Sequence, residues 1–512
     1  MEPTVMLGTG PVTIGELIAV ARGGAPVTIS QESLAAIAAA RAHVDELAAS
    51  GRPVYGVSTG FGSLATRYIE PEKRHRLQRS LVRSHAAGSG EPVEVEVVRA
   101  MLLLRLSTLC TGRTGVRPIT AQAYVGLLNA GITPVVPEYG SLGCSGDLAP
   151  LSACALAVMG EGEVFDAAGR RLPSLEALQA AGLEPVELEE KEGLALINGT
   201  DGMLGMLCMA ITDLRALATT ADISTAMSVE ALLGTDRVFA AELQALRPHP
   251  GQAASARNIT RMLAGSEIVA SHLVGDPKVQ DAYSLRCAPQ VAGAVRDTID
   301  HAETVATREL ASAVDNPVVL ADGRIESNGN FHGAPVAYVL DFLAIVAADL
   351  ASISERRTDR MLDAARSHGL PPFLADDPGV DSGHMIAQYT QAAVVSEMKR
   401  LAAPASVDSI PSSAMQEDHV SMGWSAARKL RRSVDGLQRV LAIEVLTAAR
   451  ALDLRAPLKP AAGTDAVRAL VRAHVEGPGP DRWLAPEIAA VHALVTDGSI
   501  VAAARAAAGE LE

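Results

Sequence analysis

The chain has 512 residues, more than one compact core usually holds, so two or more packed regions are expected. It is 48% apolar and 20% charged, which excludes a disordered or low-complexity protein. The net charge is −15 and the one basic run is Lys429 to Arg432, a combination that argues against a nucleic-acid partner.

Aromatic residues make up only 3% and alanine is abundant, so composition favours helix over strand. Met1-Glu2-Pro3-Thr4 lacks the basic-then-apolar pattern of a secretory signal. No uninterrupted apolar run approaches the ~18 residues of a membrane span. The 5 cysteines are odd in number, widely spaced and without a CxxC pair, which suits a reducing compartment. A soluble, cytoplasmic protein without a membrane partner is expected.

In chain order, residues 31–49 have helical spacing, with Leu34, Ile37, Val44 and Leu47 on one face and Ser30 placed to cap. A second helix is predicted over 95–110. Prolines 118, 134, 137 and 150 and a scatter of glycines then predict a helix near 119–130 followed by ordered loop. Residues 163–187 hold a short hairpin and a small helix. Beyond residue 200, the stretches 202–234, 290–314, 333–364, 383–402 and 418–452 each sustain helical periodicity. The fold class is mainly α: a bundle of long helices with a smaller, mixed, loop-rich N-terminal region. Three regions are expected, 1–200, 201–455 and 456–512.

Familiar cofactor motifs are missing. There is no phosphate-binding GxxxxGK[ST], no dinucleotide GxGxxG after a strand and no HExxH, and the 12 histidines show no metal-ligand spacing. No metal is expected. Ser145 does not sit in a hydrolase GxSxG elbow.

The informative stretch is Tyr139-Gly-Ser-Leu-Gly-Cys144-Ser145-Gly146-Asp147-Leu-Ala-Pro150-Leu. A tight turn alone would not require this order. Gly146 has no Cβ, so its nitrogen can approach the Cys144 carbonyl. Attack closes a five-membered ring, and loss of water gives an imidazolone. Dehydration of Ser145 then leaves an exocyclic methylidene, a strong electrophile. The ring uses only backbone atoms of Cys144. A strained turn held by its surroundings would lower the barrier.

With this segment, the chain resembles the family of histidine, phenylalanine and tyrosine ammonia-lyases and aminomutases that carry a methylidene-imidazolone (MIO) group. The resemblance runs from about Val54 to about Leu452. Its other blocks are Pro53-Val-Tyr-Gly-Val-Ser-Thr-Gly-Phe-Gly62, Ser84-His85-Ala-Ala-Gly88 and Asn198-Gly-Thr200. Further on come Gln280-Asp-Ala-Tyr283-Ser-Leu-Arg286-Cys, Ser327-Asn-Gly-Asn-Phe331-His332 and Gln416-Glu417-Asp418-His419. It is closest to the histidine-acting members, and implies deamination of L-histidine to trans-urocanate and ammonia, the first step of histidine degradation. The implied cofactor is MIO from Cys144-Ser145-Gly146, with nothing external.

The resemblance also implies roles. Tyr55 and Tyr283 flank the electrophile, one of them taking the Cβ proton as phenolate. Arg286 holds the substrate carboxylate, a pairing suited to guanidinium. Asn198 contacts the electrophile, Gln280 and Phe331 line the pocket, and Met385 is apolar wall. His85 and Glu417 face the imidazole. A homotetramer with active sites shared between chains is implied. Ala153 follows Ser152 where many relatives carry histidine, which removes one polar group near the loop. The alternatives are a phenylalanine or tyrosine ammonia-lyase or aminomutase with the same electrophile, and an inactive helical scaffold.

Overall fold

The helix Val95–Cys110 is apolar on nearly every side, and it is buried from Val97 to its end. A helix of that kind belongs in a core. It packs against Ile14–Ala21 and Pro118–Asn129. The computed structural model describes residues 3–50, 56, 58–60, 64, 66–143, 145–276 and 278–512. The chain is 59% helical, with few strands, as the composition leads one to expect.

Local signals explain where helices begin. The Ser30 hydroxyl accepts from the Ser33 amide at 3.1 Å and caps Gln31–Ala49. Pro118 occupies the first position of its helix, where a missing N–H is harmless. The long helices are Asp201–Ala231, Ala288–Leu310, Ala334–Leu362, Met385–Leu401 and Gly423–Asp453. Each lies within a few residues of its expected span.

The chain folds as two compact units, each assembled from three separated stretches: 1–209, 303–340 and 404–428 in the first, and 210–302, 341–403 and 429–512 in the second. The regions read from sequence were continuous. Contacts instead return two later loops to the N-terminal part.

The first unit holds the small sheets. Val5–Leu7 pairs in parallel with Val27–Ile29, and Ser89–Pro92 pairs antiparallel with Pro137–Tyr139. Glu163–Phe165 lies between Thr133–Pro134 and Arg171–Pro173. Val318–Val319 pairs with Ile325–Glu326.

The second unit is helical among its described residues, and a buried ion pair ties its helices together. Arg357 donates to Glu444 through Nε at 2.5 Å and Nη2 at 2.8 Å, with side chains 1% and 0% exposed. The hydroxyls of Ser224, Ser228 and Ser354 donate to the same carboxylate at 2.9, 2.8 and 2.5 Å. Such a pair is tolerable in a core because every lone pair is used. The basic run is likewise neutralised. Lys429 pairs with Asp341, and Arg431 lies 3.3 Å from Asp213.

One expectation needs correction. Although no uninterrupted apolar run is long enough, Asp201–Ala231 and Ala334–Leu362 are long and apolar enough to cross a membrane by length and composition. Their most apolar windows are 78% and 61% buried inside the protein, so much of that surface packs on neighbouring helices. Alanine raises the hydropathy of these segments while leaving room for close helix packing.

Replacing Glu444 by alanine should leave the Arg357 guanidinium buried without its carboxylate, at a cost of about 3–5 kcal/mol. Urea unfolding monitored by circular dichroism tests this, and an unchanged midpoint would contradict it.

Candidate active site

The Ser145 loop hangs between the strand Pro137–Tyr139 and the helix Leu148–Val158. That strand pairs with Ser89–Pro92, which follows the helix Arg74–His85. The ladder therefore sets the end of the His85 helix beside the start of the loop.

Backbone crowding fixes the loop. Gly146 has φ +75° and forms a parallel bridge with Gly199, and the Asp147 amide donates to the Gly199 carbonyl at 2.7 Å. A Cβ on Gly146 would stand 1.9 Å from the Gly199 oxygen. A Cβ on Gly143, φ +69°, would stand 2.1 Å from Ser421 Oγ. Only glycine fits either place. Ser421 Oγ also donates to the Gly143 carbonyl at 3.0 Å, and the Met422 amide to that of Leu142 at 2.9 Å.

Asp147 anchors the loop to a helix end. Its carboxylate accepts from the Gly202 and Met203 amides and from Ser141 Oγ, each at 2.9 Å. Free amides and the positive end of the dipole make the first turn of Asp201–Ala231 a suitable partner. Burial pushes the Asp147 carboxyl up to about 7, while these donors favour its ion.

Beneath lies Arg105, 0% exposed. Its Nη1 donates to the carbonyls of Asn198 at 2.7 Å and Ala195 at 3.2 Å, and its Nη2 to that of Val314 at 2.9 Å. Carbonyls of two chain segments, 195–198 and 314, thus meet on one guanidinium. Asn198 ends the helix Glu192–Ile197 and donates from Nδ2 to the Asn316 carbonyl at 2.9 Å. Its Oδ1 is buried without a hydrogen-bond partner.

His85, in the last turn of its helix, has Nδ1 2.9 Å from the Leu81 carbonyl. A carbonyl only accepts, so Nδ1 carries the proton and Nε2 is an acceptor. Burial lowers the His85 pKa, against smaller upward effects of Leu81 and Glu417. Glu417 follows the turn Ser413–Met415. Its Oε1 lies 3.4 Å from Ser145 Oγ, and its Oε2 accepts from Ser412 Oγ at 2.9 Å.

These groups share one cavity of about 640 Å³ in the first unit, lined by His85, Ser145, Asn198 and Glu417 with Leu81, Leu148 and Leu194 as apolar wall. Four of the expected site residues are thereby brought together. Phe331 is half-buried in the same unit but is not among the cavity's lining residues. Gln280, Tyr283, Arg286 and Met385 belong to the second unit. There Tyr283 is 71% exposed, and the Arg286 guanidinium lies 4.6 Å from the centre of its ring. Tyr55 and Cys144 lie outside the described residues.

Sequence reasoning missed several contributors. Asn316 and Arg67 line the cavity, and Gly199 and Ser412 shape it. Asn316 had a signal, since Asp315-Asn316-Pro317 breaks the helical pattern, and Gly199 lies within the Asn198-Gly-Thr200 block; Arg67 and Ser412 had none. Among the described residues no group of three or more His, Cys, Asp or Glu could hold a metal ion.

The surroundings fit a ring built from the loop's own backbone. Gly146 sits where no side chain could, Ser145 opens onto the cavity, and Asn198 lines its wall. Gly146→Ala should push Gly199 away, break the Asp147–Gly199 hydrogen bond and destabilise the protein by more than about 4 kcal/mol, the range of severe core clashes. Urea unfolding of that variant tests this; wild-type stability would contradict the crowding argument.

Comparison with known proteins agrees with the motif pattern. The aromatic amino acid lyase family profile matches residues 12–473. The chain is 68% identical to a histidine ammonia-lyase of Streptomyces avermitilis over 509 residues, which is 99% of each protein. Among solved structures, a tyrosine aminomutase from Streptomyces globisporus has a TM-score of 0.94 at 38% identity, covering 100% of both chains. The histidine ammonia-lyase from Trypanosoma cruzi has a TM-score of 0.91 at 40% identity, covering 98% of this chain and 95% of its own. Crowded glycines, an acid-anchored loop and a cavity opening onto Ser145 stand within a chain that belongs to the aromatic amino acid lyase family.

Proposed function

We propose that this protein is an ammonia-lyase that converts L-histidine to trans-urocanate and ammonia, using an MIO electrophile formed from Cys144, Ser145 and Gly146. The observation that carries the reading is the cavity in which Ser145 faces both His85 and Glu417. The near-full-length identity to a protein named histidine ammonia-lyase supports it independently. The MIO group supplies an electrophilic carbon, derived from the Ser145 side chain, that engages the substrate amine.

The chain's own residues bind and orient. Glu417 and neutral His85 present acceptors to the cavity, Oε1 on one and Nε2 on the other. An imidazole offers an N–H to such acceptors; a phenyl ring offers none and would strand them without a partner. Asn198 lines the same wall. By family resemblance Arg286 holds the substrate carboxylate, Tyr55 and Tyr283 flank the electrophile with one of them taking the Cβ proton, and Gln280, Phe331 and Met385 complete the pocket.

A homotetramer with shared sites belongs to the same reading. Tyr338, Phe342 and Ile345 recur at helical spacing along Ala334–Leu362 and are 49%, 45% and 44% exposed. A stripe of that kind suits a partner helix. A cytoplasmic location accords with the free thiols of Cys110, Cys154 and Cys287.

Incubation with L-histidine, L-phenylalanine and L-tyrosine separately, followed in the ultraviolet, should show fastest turnover of histidine. Faster turnover of either other substrate would contradict the assignment and favour the aromatic alternative. Glu417→Gln should lower histidine turnover roughly ten- to a hundredfold, the value of a hydrogen bond to a charged group. Because burial lowers the His85 pKa, its acceptor form persists below pH 6.5, and the acid limb of kcat/KM due to His85 should lie below that value. A His85-dependent limb above it would oppose the neutral-acceptor role. Co-refolded Ser145→Ala and Tyr283→Phe chains, each inactive alone, should regain partial activity. A fully active monomer by light scattering would refute shared sites.

A further inference from the structure

We propose that Ser412 is a positioning residue that fixes Glu417 so that one carboxylate oxygen faces the substrate imidazole, an inference that rests on the function proposed above. A glutamate side chain has three rotatable bonds, and its carboxylate can present either oxygen. Here the two oxygens are distinguished. Oε2 accepts from Ser412 Oγ at 2.9 Å, whereas Oε1 points towards Ser145, 3.4 Å from its Oγ. The first is a well-formed hydrogen bond; the second is at the limit of one. One oxygen is committed and the other is presented.

The backbone is built to make this contact. The Ser412 amide donates to the Glu417 carbonyl at 2.9 Å, and the Glu417 amide to that of Ser412 at 3.3 Å. The chain closes this bridge by passing Ser413, Ala414 and Met415 through φ of +50°, +52° and +69°. Three consecutive side-chain-bearing residues in the left-handed region are strained, and such strain persists where the surroundings hold it. The result sets the Ser412 hydroxyl alongside the Glu417 carboxylate five positions later.

The test is a double-mutant cycle on the full chain, read as kcat and KM for L-histidine. Ser412→Ala should lower kcat/KM roughly ten- to a hundredfold, the factor for one hydrogen bond to a charged acceptor. Ser412→Thr keeps the hydroxyl and should recover most of that loss. In a Glu417→Gln background, Ser412→Ala should cost far less, because the two residues act as a unit. Circular dichroism and urea midpoints accompany each variant. A loss of full size in the Glu417→Gln background would show a role not exerted through Glu417 and overturn the proposal. So would a Ser412→Ala enzyme equal to wild type, which would leave the assigned reaction standing. A wild-type chain inert towards histidine but active on phenylalanine or tyrosine would overturn both.

Discussion

The contact between the backbones of Gly146 and Gly199 is the constraint from which the rest of the site follows. With 1.9 Å between a notional Gly146 Cβ and the Gly199 oxygen, the two segments approach as closely as backbone allows. On the other side, a Cβ on Gly199 would meet Asp201 Oδ2 at 2.3 Å and displace that carboxylate. Close approach puts the Asp147 carboxylate on the first amides of Asp201–Ala231, and Ser145 is left as the residue that opens onto the cavity. Arg105 supports the arrangement from beneath by collecting the carbonyls of Ala195, Asn198 and Val314.

A second level of order is electrostatic. Two ion pairs are buried around the loop. Lys191 and Asp315 form an ion pair at 2.5 Å with both side chains 0% exposed, and Arg105 lies 3.5 Å from Asp201. Burial works against both members of the first pair, lowering the lysine and raising the aspartic acid, and their mutual attraction offsets it. These pairs fix segments far apart in sequence, which is what a cavity assembled from separate loops needs. At the cavity, Glu417 Oε1 is the carboxylate oxygen that Ser412 does not engage.

Much of this was legible in the sequence. The long helices were readable because apolar residues recur with the helical period, and Ser30 and Pro118 mark helix starts by their own chemistry. The Cys144-Ser145-Gly146 order was readable because the ring needs a residue without Cβ at 146 and a side chain that can lose water at 145. His85, Asn198 and Glu417 were reached through family motifs, and the structure places them around Ser145. The division into units was not legible, since loops at 303–340 and 404–428 return to the N-terminal part through contacts that leave no local pattern. Arg67 and Ser412 were missed for the same reason. Gly199 lies within a family block, but a glycine needed for close approach looks like any turn glycine until its neighbour is known. A serine that orients a carboxylate five residues later has no periodicity to announce it.

The central claim is that the crowded loop exists to let Gly146 close a ring on Cys144 and Ser145 to lose its hydroxyl. The most direct test is the intact mass of the purified chain, measured under denaturing conditions. The account predicts a mass lower than that of the amino-acid sequence by two waters in the wild-type protein, and by less than two in Ser145→Ala. A wild-type chain with the full mass of its sequence would contradict it.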